Sequence, residues 1–408
     1  MFPLRTRSPQ RPNFKKTRVA MVVIDTHEVA GEFIGQLKER RPVVHPVIWS
    51  LARALSARGT VALKVIYADS RARRPTRHRV EGVSCVAVPP FFLGGKVMGT
   101  AMLGRALGLL RYLRKNPVDL VHGQGTEREA GLVAAFSGLP SLVTLHGNFS
   151  EISKIFGGPL WGYYSIASFL EKVALKKVGG IICISDYVRK ITAKYKKPQF
   201  LIPNALRTEF LQEPAARANI HPPRVIYMGT FDPRKRPDIV LRICELAWQA
   251  GAVFVLGFYG GSGFGKDYQE KFKAYCQPHV KAGRVFFGGF TQEPWKVWAT
   301  ATIGISASQE ESFGMNILEA LGAGTPVIAP RVGGAIDIVR HGKCGFLYDP
   351  ENLRTPAQAL RQLLRNKTLW KAFSRSARQR AAEFRPGEIA GMTEKVYHGF
   401  LNRNSRPK

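Results

Sequence analysis

The feature that most constrains this chain is a short, wholly apolar run that recurs between helical patterns. It appears first at residues 19–24 (VAMVVI) and then along most of the 408 residues. A run of this length without polar alternation is buried on both faces, which is how a strand inside a parallel sheet reads. A helix is expected at 47–55, a strand at 61–67 and a Leu-rich helix at 101–114. Strands follow at 120–122, 141–145 and 180–184. Residues 201–202 then lead into Pro203-Asn204, and the domain boundary is placed just after Asn204. The alternation starts again, with strands expected at 225–228, 254–258, 285–287, 302–306 and 326–329. Apolar strands alternating with helices make an α/β chain with parallel sheets covered on both sides. Two halves of similar size imply two Rossmann-like domains facing each other, 18–205 and 206–385, behind a basic arm at 1–17. In open parallel sheets ligands bind beyond the carboxyl ends of the strands, so the residues just after each strand carry the chemistry.

Charge is the second constraint. There are 61 Lys and Arg against 29 Asp and Glu, a formal net charge of +32. Residues 1–205 hold 32 of the basic and 12 of the acidic side chains, so the excess is heavier in the first half. Five arginines crowd residues 71–79 (RARRPTRHR), which reads as an exposed basic loop, and Arg105, Arg111 and Arg114 stud the helix at 101–114. Such a field attracts nucleic acid, an anionic membrane or an anionic substrate. No recognised nucleic-acid-binding pattern accompanies it, so a nucleic-acid partner is not expected. Five scattered cysteines without a C-x-x-C pair read as reduced, buried thiols of a cytoplasmic protein. The polar N-terminal stretch lacks the apolar core of a secretory signal, and no run of about 18 apolar residues is present to span a membrane.

One stretch carries the most chemistry: residues 308–326, SQEESFGMNILEALGAGTP. A strand ends near Ser306, Glu311 sits in the loop at its mouth, and a helix starts near Gly314 and Met315. The first N–H groups of that helix can hold an anion. Glu319 lies about a turn further in, and Gly322, Gly324 and Pro326 close the helix and open the next strand. Two carboxylates therefore bracket a positively polarised helix end. A nucleotide sugar has the matching layout, with hydroxyl groups on either side of a diphosphate, and an ionised carboxylate accepts two hydroxyl donors at once.

This stretch resembles the E-x7-E signature of retaining glycosyltransferases of the GT-B fold, family 4, and the likeness continues through 327–334 and 342–347. The resemblance implies a GT-B architecture and a nucleoside-diphosphate sugar, UDP- or GDP-linked, as co-substrate. It also implies retention of configuration, with neither a cofactor nor a catalytic metal. Glu311 is then expected to orient the sugar and Glu319 the ribose, with Phe313, Gly314 and Met315 beside the donor. The loop at 228–235 (MGTFDPRK) resembles the family's phosphate loop: Gly229 approaches the donor, and Arg234 and Lys235 neutralise the departing diphosphate. Thr230 stands where the family commonly has arginine. His146, after the strand at 141–145, matches a family His-Gly that faces the donor sugar; His122-Gly123 is placed similarly. Gly31, in a loop without the usual Gly-Gly pair, is assigned to the diphosphate. Gly333-Gly334 resembles a loop near the donor sugar, Pro203-Asn204 a hinge, and residues 386–408 a terminal helix that packs back on the first domain.

A decoy lies at 260–267 (GGSGFGKD), one residue short of a P-loop. Asp267 stands where Ser or Thr would bind magnesium, which argues against an NTPase. The expected function is glycosyl transfer to a saccharide or lipid-linked acceptor in cell-envelope polysaccharide or lipopolysaccharide assembly. The charge admits a peripheral position at the inner face of the membrane. A non-catalytic GT-B module and a nucleic-acid-binding protein are the alternatives.

Overall fold

The computed structural model describes residues 16–24, 45–92, 98–157, 162–212, 221–262 and 266–404. The basic arm up to residue 15, Gly31 and the glycines at 263 and 265 lie outside the described residues.

The first sheet has eight strands: β1 (Thr17–Val22), β2 (Val61–Ala68), β3 (Thr76–Val80), β4 (Val83–Val88), β5 (Leu120–Gln124), β6 (Ser141–Leu145), β7 (Gly180–Cys183) and β8 (Gln199–Leu201). Their order is β3-β4-β2-β1-β5-β6-β7-β8, parallel throughout except β3, which pairs antiparallel with β4. The stretch expected as a basic loop at 71–79 is therefore corrected in part, since its second half is an edge strand. The alternation in TRHRV, half-buried and exposed in turn, suits an edge with one face on the protein. The second sheet has six parallel strands: β9 (Arg224–Met228), β10 (Val255–Tyr259), β11 (Val285–Gly289), β12 (Ile303–Ile305), β13 (Val327–Pro330) and β14 (Gly345–Tyr348). Their order is β11-β10-β9-β12-β13-β14.

Residues 19–24 of the opening run are all buried, as are all five cysteines, which are unpaired. The last helix, Pro386–Asn404, packs on the first-domain helix Pro46–Arg58, where Arg58 Nε meets Glu394 Oε2 at 2.9 Å. Phe400 sets its ring edge-on to Phe200 of β8. A single apolar cluster runs from Ile184 and Val188 of the first domain through Leu206 and Phe210 to Phe313, Ile317 and Ile338 of the second. The two sheets thus share a continuous core beside the line where their strand ends face. No helix among the described residues is long and apolar enough to cross a membrane.

Candidate active site

The site forms where the loops after β9 and β12 emerge side by side. These strands are neighbours, with Ile303 opposite Val225 and Gly304 opposite Ile226. After β9 the chain turns through Gly229, whose N–H donates to Tyr259 O at 3.0 Å. Asp232 holds the turn by accepting from Thr230 Oγ1 and from the Lys235 N–H at 2.9 Å. This anchors Thr230 at the position where the resemblance expects an arginine. The turn sends Lys235 across to the next loop, where Nζ meets Glu311 Oε2 at 2.6 Å. Arg234 Nη1 lies 3.8 Å from Glu310 Oε2. All four side chains are largely shielded from water, so these charges act at much lower dielectric than surface pairs.

The two glutamates respond in opposite directions. Burial pulls the Glu311 carboxyl upward, but Lys235, with Arg234 and the Ser308 hydroxyl, outweighs it and holds the group below the ordinary glutamate range. Burial and the Glu311 charge push Glu310 up, against the pull of Arg234. Arg234 and Lys235 are each set against a carboxylate, a pairing that the local sequence does not mark.

Gly314, at φ +105°, caps the helix Met315–Gly322. Asn316 ties that helix start to the end of β9 by donating Nδ2–H to Met228 O at 3.0 Å. Phe313 turns inward, edge-on to Phe384 in the core, so any part it has in donor binding falls to its backbone. Gly333 has φ +49°, and a Cβ there would lie 1.9 Å from Glu311 O. Gly334 N–H donates to that same oxygen at 2.7 Å. These glycines fix the Glu311 loop by letting a second loop close directly on its backbone.

Glu319 meets Arg207 of the interdomain linker, Oε1 to Nη2 at 3.6 Å. Burial pushes its carboxyl up to about 7, with Arg207 opposing. Arg207 also lies over the rings of Phe210 and Trp295, 5.0 and 5.2 Å from their centroids. Nothing in the local sequence marks Arg207; its pairing with a residue more than a hundred positions away exists only in the fold.

From the first domain, His146 follows β6 and its Nε2 lies 2.8 Å from Gln124 Oε1, which can only accept. Burial pushes this imidazole down to about 3, His45 adding to the shift and Asn204 opposing it, so the ring is neutral at ordinary pH. His122 is taken up elsewhere: Nδ1 meets Tyr397 OH at 2.6 Å and Nε2 meets Thr144 Oγ1 at 2.7 Å. It ties the terminal helix to the first sheet. Among the described residues, hydrogen bonds from Ser185 and Asp186 cross the cleft directly. Ser185 Oγ donates to Ser312 O, and Asp186 N–H donates to Asp337 Oδ2, both at 2.6 Å. Sequence reasoning singled out none of these four residues for a role.

Two parallel-sheet domains with their strand ends facing make a GT-B fold, the fold of the family-4 and group-1 glycosyltransferases. The chain belongs to that group: residues 44–210 match the family described as Glycosyltransferase Family 4, and residues 212–380 match Glycosyl transferases group 1. A D-inositol 3-phosphate glycosyltransferase of Nocardioides sp. is 32% identical over 189 residues, 42% of this chain and 41% of that protein. An N-acetyl-alpha-D-glucosaminyl L-malate synthase of Bacillus anthracis is 27% identical over 186 residues, 45% of this chain and 47% of that protein. These matches span less than half the length of either relative. Among solved structures, sucrose-phosphate synthase from Thermosynechococcus elongatus superposes with a TM-score of 0.75 at 20% identity, covering 95% of this chain and all of that one. WaaG, a glycosyltransferase involved in lipopolysaccharide biosynthesis, superposes with a TM-score of 0.67 at 17% identity, covering 93% of this chain and 100% of that one. Anabaena HepE in complex with UDP-glucose gives a TM-score of 0.67 at 17% identity, covering 93% of this chain and 99% of that one.

Proposed function

We propose that this protein transfers a sugar from a nucleoside-diphosphate sugar, UDP- or GDP-linked, to a saccharide or lipid-linked acceptor, with retention of configuration. The observation that carries the reading is the 2.6 Å Lys235–Glu311 bridge, with Arg234 beside it, at the start of the helix Met315–Gly322. A departing diphosphate draws on Lys235, Arg234 and the N–H groups of that helix, which are in place before the reaction and need no reorganisation. Lys235 is shared between phosphate oxygens and Glu311. The ionised Glu311 is free to accept hydrogen bonds from sugar hydroxyls near the reacting carbon and to stabilise its developing positive charge. Glu319 takes the ribose hydroxyls, with Gly229, Gly314 and Met315 lining the donor. Neutral His146, presented by β6, faces the donor sugar as a hydrogen-bonding group. The positive charge comes from side chains, so the reading calls on no metal or cofactor. The contacts from Ser185 and Asp186 hold the domains together over the site and restrict water.

A solved structure of this fold contains UDP-glucose, and another is described as acting in lipopolysaccharide biosynthesis, which supports a role in envelope polysaccharide assembly. The basic first half suits an anionic or lipid-linked acceptor, met by a cytoplasmic protein at the inner membrane surface. The test is calorimetric titration of UDP, GDP and ADP into the wild type and Glu319→Ala. One nucleotide binding tightly, and more weakly to the variant, is the expected result. No binding by the wild type would remove the donor reading and favour a non-catalytic module of the same fold.

A further inference from the structure

The first domain carries a second concavity that the donor chemistry does not use. It opens beyond the ends of β2 and β4, between the β3–β4 hairpin and the helix Met98–Lys115, and has a volume of about 1190 Å³. Its lining includes Arg71, Arg73, Arg74, Arg77, Arg111 and Lys115, all exposed. The one carboxylate in the lining is Asp69, whose Oδ1 accepts from Arg71 Nε at 2.9 Å. Among the described residues Arg73, Arg74, Arg77, Arg111 and Lys115 form no ion pair. Arg77 reaches only the neutral Asn116 Oδ1, at 3.3 Å, and Arg111 lies over the Phe91 ring at 5.6 Å.

Like charges at this density repel one another, and an anion bearing several charges is the ligand that relieves the repulsion. Guanidinium groups match phosphate oxygens two at a time, and the basin gathers five of them. Its other wall is apolar, built from Pro89, Pro90 and Phe91. The basin also lies on the cleft side of the sheet. From β2 to β6 is three strand steps, so the end of β2 stands about 14 Å from the end of β6 that presents His146. A ligand extending from the cleft along this edge meets the arginines.

We propose that this basin binds a phosphate-bearing anion of two or more charges, the charged end of the ligand that the first domain receives. Assigning that phosphate to the acceptor rests on the glycosyltransferase reading above; the anion site itself does not. The phosphate belongs either to a soluble ligand or to a lipid headgroup, and two arms separate these. In one, tripolyphosphate is titrated calorimetrically into the wild type, the Arg73→Gln/Arg74→Gln/Arg111→Gln variant and Arg234→Gln. In the other, the same proteins are floated with phosphatidylglycerol or phosphatidylcholine vesicles. The expected result is a loss of roughly a hundredfold at the basin in the triple variant, while Arg234→Gln loses only the separate binding of tripolyphosphate at the donor site. A loss for tripolyphosphate identifies a soluble source, and a loss confined to phosphatidylglycerol vesicles a headgroup. Equal binding by wild type and triple variant in both arms, no binding in either arm, or a loss in Arg234→Gln alone overturns the proposal. UDP titrated into the triple variant serves as the folding control. If UDP binds none of the proteins while the triple variant still loses tripolyphosphate, the donor reading fails and the basin stands.

Discussion

Replacing Lys235 with methionine isolates the interaction on which the site depends. The Lys235–Glu311 pair is closed at 2.6 Å, with side chains 13% and 10% exposed. At an effective dielectric near 20, unit charges at that separation attract by roughly 6 kcal/mol, and desolvation consumes part of the gain. Removing one partner of such a pair costs about 3–5 kcal/mol, because the other charge is left buried. The pH dependence tests the cause. In the wild type Glu311 titrates below its unfolded value, so its contribution is complete above the ordinary glutamate range and lost as pH falls through the depressed value. In Lys235→Met two of the contributions that oppose burial are gone, and Glu311 is expected to titrate above its unfolded value. Stability then declines as pH rises from the unfolded value through the raised one. The assay is urea unfolding of the wild type, Lys235→Met and Lys235→Met/Glu311→Gln at pH 5 and pH 8. The single variant should lose about 3–5 kcal/mol at pH 8 and less at pH 5, and the double variant should recover most of the loss. A deficit independent of pH, with no recovery in the double variant, would refute the reasoning. Because Lys235 is structural as well as chemical, Arg234→Ala is the cleaner probe of turnover, with an expected fall of more than about tenfold.

Two further outcomes follow from the same geometry. Glu319, pushed up to about 7, should make UDP affinity fall as pH drops from 8 to 6; Glu319→Gln should remove that part of the pH dependence, as read by calorimetry. An unchanged profile would separate Glu319 from the ribose. Gly333→Ala, which places a Cβ 1.9 Å from Glu311 O at φ +49°, should cost more than about 2 kcal/mol of stability and most of the turnover, whereas wild-type values would show that the two loops can part.

The strands most legible in the sequence are those such as β1 and β9, whose apolar runs VAMV and VIYM are unbroken, because a run of that kind belongs inside a sheet covered on both sides. β3 was hidden by its composition. Its three basic side chains made the segment read as a loop, and its strand character comes from pairing with β4. The helix start at Met315 was legible, because it rests on the residues next to it. The geometry around it was not: the Lys235–Glu311 bridge spans 76 positions, and no local pattern pairs the two. His122 was misleading for the same reason. Its partner, Tyr397, lies 275 positions away, and no local pattern distinguishes a histidine that fastens a helix from one that faces a substrate.

The main chain passes between the two domains twice, near Ala205 and near Arg385, and the two passages touch: Leu206 N–H donates to Phe384 O at 2.8 Å. Beyond the second passage, the helix Pro386–Asn404 is fastened to the first domain by Glu394, Tyr397 and Phe400. Two adjoining passages tie the halves together on one edge, and the contacts of Ser185 and Asp186 tie them again at the site. Sliding or twisting would have to tear the paired backbone. The loops after β9 and β12 are therefore held opposite those after β6 and β7, and the register of the two halves of the site is set by the fold itself.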